Sequence, residues 1–398
     1  MKLYNSLSQT KEVFVPNNDR KVTLYVCGIT PYDTTHLGHA FTYLTFDILQ
    51  RFLTFQGYTV TYTQNVTDID DDILKKAHEV GKDWQELGEF WTKKFLNDLN
   101  DLNVIMPTFY VKATDSIPTI LEIVEKLIEK KLAYEKSGNV YFRVKSDPDY
   151  GKLSKFSREE MIKLSKERGA DPADPNKEDP LDFILWQKSK EDEPSWNSKW
   201  ARLPSPPPTT QASERAGDGE ANGGQGKGRP GWHIECSAMI YKYLDKKIDI
   251  HGGGIDLIYP HHESEIAQSE NFTGEKPFVK YWLHTGAVGY QGHKMSKSLG
   301  NLVMVSDLLK KYPPNAIRYL LLSHHYRQPW EFKEEELITA AKSLKNLLEN
   351  LKGEEKGDTE GFIQALSDDL DTPKALKVME EAGGKTLLEM LLLLGFII

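Results

Sequence analysis

The chain has 398 residues, 39% of them hydrophobic and 11% aromatic, which is more than one ordinary domain needs and enough for sizeable cores. Its 50 Lys and Arg against 59 Asp and Glu give a net charge of −9, which removes any global basic footprint for nucleic acid while leaving a local basic face open. The N-terminal MKLYNSLSQTKEVF lacks the apolar core of a secretory signal, and the most apolar run, residues 387–398, is too short for a membrane-spanning helix of about 20 residues, so the chain reads as cytoplasmic.

Residues 22–26 are a short apolar run that stops at Cys27 and Gly28, the pattern of a buried strand entering a turn. Phe41, Leu44, Ile48, Leu49 and Phe52 then recur at helical spacing until Gly57, which should stop the helix. Residues 58–64 alternate Val60 and Tyr62 with threonines, as a strand does. Strand, helix and strand make a right-handed βαβ unit, and an open parallel sheet of such units binds ligands beyond the carboxyl ends of its strands. Residues 27–39 and 65–70 (NVTDID) both fall at such ends.

Helical patterns over 84–102 and 117–132, a strand at 140–144 and a charged stretch up to Trp200 read as an insertion between two halves of the sheet. Residues 203–228 have no large apolar side chain after Leu203 and are rich in Pro, Gly, Ser and Thr, so they are predicted disordered. Residues 247–251 read as a strand, 252–254 as a glycine turn, and 260–268 as the start of a helix. A strand at 281–284 leads to the glycine-flanked loop GHKMSKSLGN, and from Val305 the pattern is helical, broken once at 367–373 (SDDLDTP). The expected fold class is α/β, a Rossmann-like parallel-sheet domain split by an insertion and followed by an α-helical C-terminal region. Its expected parts are 1–110, the first half of the sheet domain; 111–200, the insertion; 203–228, the low-complexity excursion; 229–304, the second half; and 305–398, the helical domain.

Two constellations carry chemistry. His261 and Glu265 are four apart, on one face of a helix, whereas His262 and Glu263 should point elsewhere. With Cys27 and Cys236 they make a set of two thiolates, an imidazole and a carboxylate that suits zinc. Each cysteine taken alone reads equally as a buried neutral thiol. Because the ligands come from separate segments at a binding edge, the ion would be positioned to take a thiol substrate, which zinc binds and deprotonates. The second constellation joins His36, Gly38 and His39 (HLGH), at a helix start whose amides and dipole favour phosphate, with the lysine loop Lys294, Met295, Ser296, Lys297 and Ser298 (KMSKS). Lys294 and Lys297 can swing two ammonium groups onto a polyphosphate.

HLGH plus KMSKS resembles the class I aminoacyl-tRNA synthetases. The fuller set, VCGITPYD, NVTDIDD, GRPGWHIECSAM, DIHGGGIDLIYPHHESEIAQSE, GHKMSKSLGN and DDLDTPKAL, is similar to the cysteinyl-tRNA synthetase family and runs from residue 25 to about 376. The resemblance implies one zinc ion on Cys27, Cys236, His261 and Glu265, with the substrate thiol bound to it. Gly28, Thr67, Trp232, His251 and Asp256 match cysteine-binding positions, Asp256 pairing with the ammonium group while Trp232 and His251 close the pocket. His36, His39, Lys294 and Lys297 match catalytic positions, and these with Gly38, Met295, Ser296 and Ser298 match the ATP site, ATP arriving with Mg2+. The implied partners are ATP, L-cysteine and tRNA(Cys), with no membrane, for a monomer. The anticodon module of the family is expected to be short or absent. The first motif also resembles the related cysteine ligase of mycothiol synthesis, whose acceptor is an amino-sugar, so tRNA and glucosaminyl-inositol both stand as acceptors. A nucleotidylyltransferase, which shares HxGH, would leave the cysteines and the His261/Glu265 pair without a role, and the intact motifs argue against a non-catalytic RNA-binding relative.

Overall fold

The structure is a computed structural model that describes residues 1–33, 35–200, 226–295 and 299–398. Two compact units share the chain: Met1–Lys112, Tyr243–Ile258 and Pro277–Ile398 form the first, Ala113–Lys242 and Tyr259–Lys276 the second.

The first unit is built on a five-stranded, wholly parallel sheet. Its strands are β1 (Lys21–Ile29), β2 (Thr59–Val66), β3 (Phe109–Lys112), β4 (Ile248–Gly254) and β5 (Val279–Thr285), in the order β5-β4-β1-β2-β3. This is a doubly wound order, and it reverses between β1 and β4, so a crevice opens at the carboxyl ends of those two strands. Val22, Leu24, Tyr25 and Val26 of β1 are all buried, as strands of a parallel sheet covered on both faces must be.

Helix α1 (Leu37–Phe55) makes the first crossover, and the residues predicted for its core face, Phe41, Leu44, Ile48, Leu49 and Phe52, are all buried. Gly57, with φ of +85°, lies just beyond its end, as the sequence predicted. Helices α2 (Asp71–Val80) and α3 (Trp84–Asp101) fill the crossover from β2 to β3. The C-terminal helices share the sheet's hydrophobic core: Leu320, Leu321, Leu376, Leu387 and Leu391 belong to one buried cluster with Phe46 and Leu49. Buried Arg318 joins them to α1 through Asp47, which Arg51 also holds at 2.9 Å. No helix among the described residues is long and apolar enough to cross a membrane.

The glycines at 252–254 correct the sequence reading. They continue β4 and are not a turn. A Cβ on Gly252 would lie 2.0 Å from the Phe46 ring, so glycine here is what lets α1 pack directly on the strand.

The second unit holds an antiparallel five-stranded sheet, in the order Ala133–Lys136, Asn139–Phe142, Phe183–Lys188, Gly226–Pro230 and Trp196–Ser198. Residues 226–228, expected at the end of the disordered excursion, are therefore strand. Composition misleads because the glycines fit a packing demand, a Cβ on Gly228 meeting Trp186 Nε1 at 2.1 Å. The rest of the excursion, 203–225, lies outside the described residues.

Candidate active site and metal centre

In the first unit a cleft of about 270 Å3 opens at the carboxyl ends of β1, β4 and β5. Cys27, Gly28, His36, Gly38, His39, Asp256, Lys294 and Met295 are among the residues that line it. The motif residues that sequence alone set apart by some 250 positions are thus on one wall system, at the switch point where a doubly wound sheet binds its ligand.

His36 caps α1. Its Nδ1 accepts from the backbone amides of Gly38 at 3.1 Å and His39 at 3.4 Å. Leu37 N donates to the Val303 carbonyl at 2.8 Å, and Ala40 N to the His36 carbonyl at 3.2 Å. The expected free amides at this helix start are therefore all engaged, and a phosphate would meet side chains instead. The cap also fixes the His36 tautomer: with Nδ1 accepting, the ring proton sits on Nε2. His39 stacks on this ring, centroids 3.7 Å apart.

Lys294 sits in a two-residue strand, His293–Lys294, paired with Val288–Tyr290. Asn301 Nδ2 donates to the Lys294 carbonyl at 3.3 Å, and Met295 is buried, so the backbone here is held on both sides. The Lys294 ammonium reaches Asp256 Oδ2 at 2.9 Å. Ser296, Lys297 and Ser298 lie outside the described residues.

Of the expected cysteine-binding residues in this unit, Gly28 follows the end of the buried run of β1 and Thr67 follows β2. Sequence reasoning missed what links them. Asn65 Oδ1 accepts from Gly28 N at 2.8 Å, and its Nδ2 reaches Thr67 Oγ1 at 3.3 Å. A Cβ on Gly28 would lie 1.6 Å from the Asn65 carbonyl oxygen, so only glycine permits this approach. Asn65 stands inside the NVTDID motif, but no spacing rule marks an amide that braces a neighbouring strand. His251 is fully buried in β4 between Tyr25 and the stacked Trp282 ring. His284 of β5 was also missed. Burial, and secondarily the charge of His251, lower its pKa to about 3, with Asp256 acting in the opposite sense.

In the second unit Cys236, His261 and Glu265 come together, each buried, with one ligand atom apiece within 4.8 Å of the others. Cys236 lies on the helix Trp232–Tyr243 and Glu265 on the helix Glu263–Thr273. His261 precedes that second helix, in an irregular turn over Ile258–His262, so ideal helical phase does not govern the histidines. His261 Nε2 is 3.0 Å from Glu265 Oε1 and 3.4 Å from Cys236 Sγ. His262, expected to point away, instead lies 4.0 Å from the same Glu265 oxygen, because of that turn. Glu263 does turn away, accepting from the amides of Leu153 and Ser154.

His261 Nδ1 is 3.0 Å from His233 Nδ1, a partner that sequence did not single out, and Trp232 stacks on the His261 ring with centroids 4.4 Å apart. Burial holds His233 well below the usual imidazole range, so it is neutral and can accept the Nδ1 proton of His261, which presents Nε2 for a metal. Burial alone would lower the pKa of His261, but the charges of Cys236 and Glu265 outweigh it and raise it to about 10. A thiol, an imidazole and a carboxylate buried together around one point, holding a cation in the form of that proton, are a donor set that fits a single metal ion.

Compared with known proteins, the chain matches the family described as tRNA synthetases class I (C) catalytic domain over residues 13–204 and 211–343. It is 43% identical over 404 residues to a cysteine–tRNA ligase of Thermococcus onnurineus, covering 96% of this chain and 79% of that one. It is 44% identical over 394 residues to a cysteine–tRNA ligase of Dehalococcoides mccartyi, covering 96% of this chain and 80% of that one. Among solved structures, Mycobacterium tuberculosis methionyl-tRNA synthetase bound by methionyl-adenylate shares the fold, with a TM-score of 0.61 at 14% identity over 94% of this chain and 82% of that one.

Proposed function

This chain belongs to the class I tRNA synthetases of the cysteine type, and from that premise we propose that it activates L-cysteine with ATP and passes the cysteinyl group to the 3′ end of tRNA(Cys). The observation that carries this reading is the cleft at the carboxyl ends of β1, β4 and β5, which His36, Gly38, His39, Lys294 and Met295 line together with Gly28 and Asp256.

In the first step the cysteine carboxylate attacks the α-phosphorus of ATP; a carbon-side oxygen–phosphorus bond forms, the bond to the β-phosphate oxygen breaks, and pyrophosphate leaves. Carboxylate attack needs no general base, so the work left to the protein is positioning and charge stabilisation. His36 Nε2–H, His39 and Lys294 are suited to hold phosphate oxygens, with Gly38 keeping the backbone low beneath the nucleotide and Lys297, beside Ser296 and Ser298, adding a second cation. Mg2+ comes with the nucleotide. Asp256 would take the substrate ammonium, while Gly28 and Thr67, braced by Asn65, His251 and Trp232 would form the walls. In the second step a ribose hydroxyl of the tRNA end attacks the cysteinyl carbonyl and AMP leaves.

Cys236, His261 and Glu265 are assigned as ligands of one Zn2+, with Cys27 as the fourth. Cys27 is a buried thiol with its carbonyl fixed by the Tyr43 hydroxyl at 3.0 Å, and it opens on the cleft. Zinc bound there would take the substrate thiol as thiolate, a distinction of kind from serine that pocket shape alone makes weakly. Both cysteines are reduced thiols, which suits the reducing setting of the cytoplasm.

ATP–pyrophosphate exchange tests the first step: exchange should require cysteine and be negligible with serine, and its absence in zinc-replete protein would refute the reading. Acceptor assays then separate tRNA(Cys) from glucosaminyl-inositol. The identity to curated cysteine–tRNA ligases favours tRNA.

A further inference from the structure

Lys294 is carried by a small sheet beside the parallel one. Its two-residue strand pairs with Val288–Tyr290, and that strand pairs in parallel with Trp330–Glu331, giving three strands in all. Gly289 lies in the middle, opposite Lys294 on one side and Glu331 on the other. The third strand belongs to the segment 323–332, which follows the helix Pro314–Leu322. Trp330 N donates to the Ala287 carbonyl at 3.1 Å, Phe332 N to that of Gly289 at 2.8 Å, and Gly292 N to Glu331 Oε1 at 2.7 Å. Just beyond the end of β5, Gly286 N donates to the Tyr326 carbonyl at 2.7 Å. The place of Lys294 in the cleft is therefore set by where residues 326–332 lie.

That segment is held by Asp369, in the SDDLDTP break between the helices Thr359–Ser367 and Thr372–Glu380. Its neighbours have ordinary roles: Asp371 caps the second helix, accepting from Lys374 N at 3.0 Å, and Asp368 pairs on the surface with Lys11 at 2.9 Å. Asp369 is fully buried. Its Oδ1 accepts from the Tyr326 hydroxyl and from Tyr4 N, both at 2.7 Å, and its Oδ2 from Arg327 Nε at 2.6 Å, with His325 Nε2 3.9 Å from the same oxygen. Three consecutive residues of the segment thus converge on one carboxylate. The backbone there is left-handed at two residues running, with φ of +65° at Asp369 and +52° at Leu370. Aspartate tolerates that region; leucine does not, and burial of its side chain keeps it there. A helix break needs a cap and nothing more. A buried carboxylate on strained backbone marks a point that the fold holds fixed.

We propose, on the reading of Lys294 as a phosphate-holding group, that Asp369 is a positioning residue for cysteine activation. Through Tyr326 and Arg327 it fixes the small sheet, and so the point from which Lys294 reaches the charge that develops on the phosphates. Its action runs through backbone pairs: Tyr326 to Gly286, Trp330 and Phe332 to Ala287 and Gly289, and Gly289 to Lys294. Gly28, Thr67, His251 and Asp256, assigned to the amino acid, stand on the parallel strands or just beyond their ends, so the effect falls on kcat and spares the KM for cysteine.

The test is a double-mutant cycle read by ATP–pyrophosphate exchange on the metal-loaded full chain. Asp369→Asn keeps the shape and tolerates left-handed backbone, but removes the charge that holds Arg327. A misplaced donor should lower kcat by about 10-fold, with the KM for cysteine within about twofold and the metal content unchanged. In a Lys294→Gln background the same substitution should cost less than about threefold, because the group it positions is gone. A tether of the fold alone would cost the same factor in both backgrounds. That result overturns the proposal, as does a folded Asp369→Asn variant with native exchange. If Asp369→Asn does not fold, Tyr326→Phe takes its place, deleting one hydroxyl and keeping the ring. It should cost about threefold in the native background and nothing in Lys294→Gln, equal factors again being decisive against. If the unaltered chain shows no cysteine-dependent exchange, the functional reading itself falls and the positioning role with it.

Discussion

The candidate nucleotide side and the candidate metal side of this molecule solve opposite problems. In the first unit the candidate phosphate-binding groups stand on a helix start and a short hairpin, and Lys294 is half-exposed. In the second unit Cys236, His261 and Glu265 are each 1% exposed or less, and His233 and Trp232 hold the imidazole from behind. A ligand that must arrive as triphosphate and leave as pyrophosphate is served by cations that can move. An ion meant to stay is served by donors that cannot. The sharpest way to break this contrast is to remove a donor. Cys236→Ser should lose stoichiometric metal by elemental analysis and lower cysteine-dependent pyrophosphate exchange by at least about 100-fold. A folded variant that retains its metal would refute the ligand assignment.

The same contrast governs what could be read from the sequence. HLGH carries its chemistry in local spacing, and the βαβ periodicity put residues 27–39 beyond a strand end, so the parallel sheet and that wall of the cleft were legible in advance. Cys236, His261 and Glu265 were legible by donor type. His262 was not, because an irregular turn, invisible to helical counting, swings it towards Glu265. Nor were Asn65 and His233, whose roles are contacts across elements. Residues 226–228 and 252–254 depart from the sequence pattern for a shared reason: by composition glycine marks turn or disorder, whereas the structure uses it to let Trp186 and Phe46 pack against strand backbone.

On the nucleotide side, Lys294→Gln tests whether the ammonium acts on charge that develops in the reaction. Loss of one such donor should lower the rate of exchange by about 100-fold, with little change in melting temperature because the side chain is half-exposed. An effect confined to the KM for ATP would make Lys294 a ground-state binding group.

A smaller effect concerns stability and comes from His284, buried on β5 with Nδ1 at 2.7 Å from Ser6 Oγ. Its folded pKa, lowered to about 3 chiefly by burial, lies below the ordinary imidazole value of 6.5. Between those values the unfolded chain binds a proton that the folded chain refuses, so stability is complete above pH 6.5 and falls as the pH drops towards 3. The loss between pH 6.5 and 5 should be about 2 kcal/mol. His284→Gln should flatten the slope, measured as the difference between the two proteins in urea unfolding so that acid release of metal cancels. Identical slopes would show that the ring titrates normally.

The smallest expected effect separates two duties that fall on one residue. His36 is the N-cap of α1, taking the amides of Gly38 and His39, and it also faces the cleft. His36→Ala removes the cap and should cost about 1 kcal/mol of stability. Asparagine is among the best N-caps, so His36→Asn should recover most of that loss. It offers no ring Nε2–H to a phosphate, and a shorter amide in the cap position cannot reach where the imidazole edge does. Exchange activity should therefore stay low in both variants while stability separates them. If His36→Asn restores activity along with stability, the imidazole is a cap alone. The nucleotide side would then rest on His39 and the lysine loop, and would be even more dependent on movable cations than the present contrast holds.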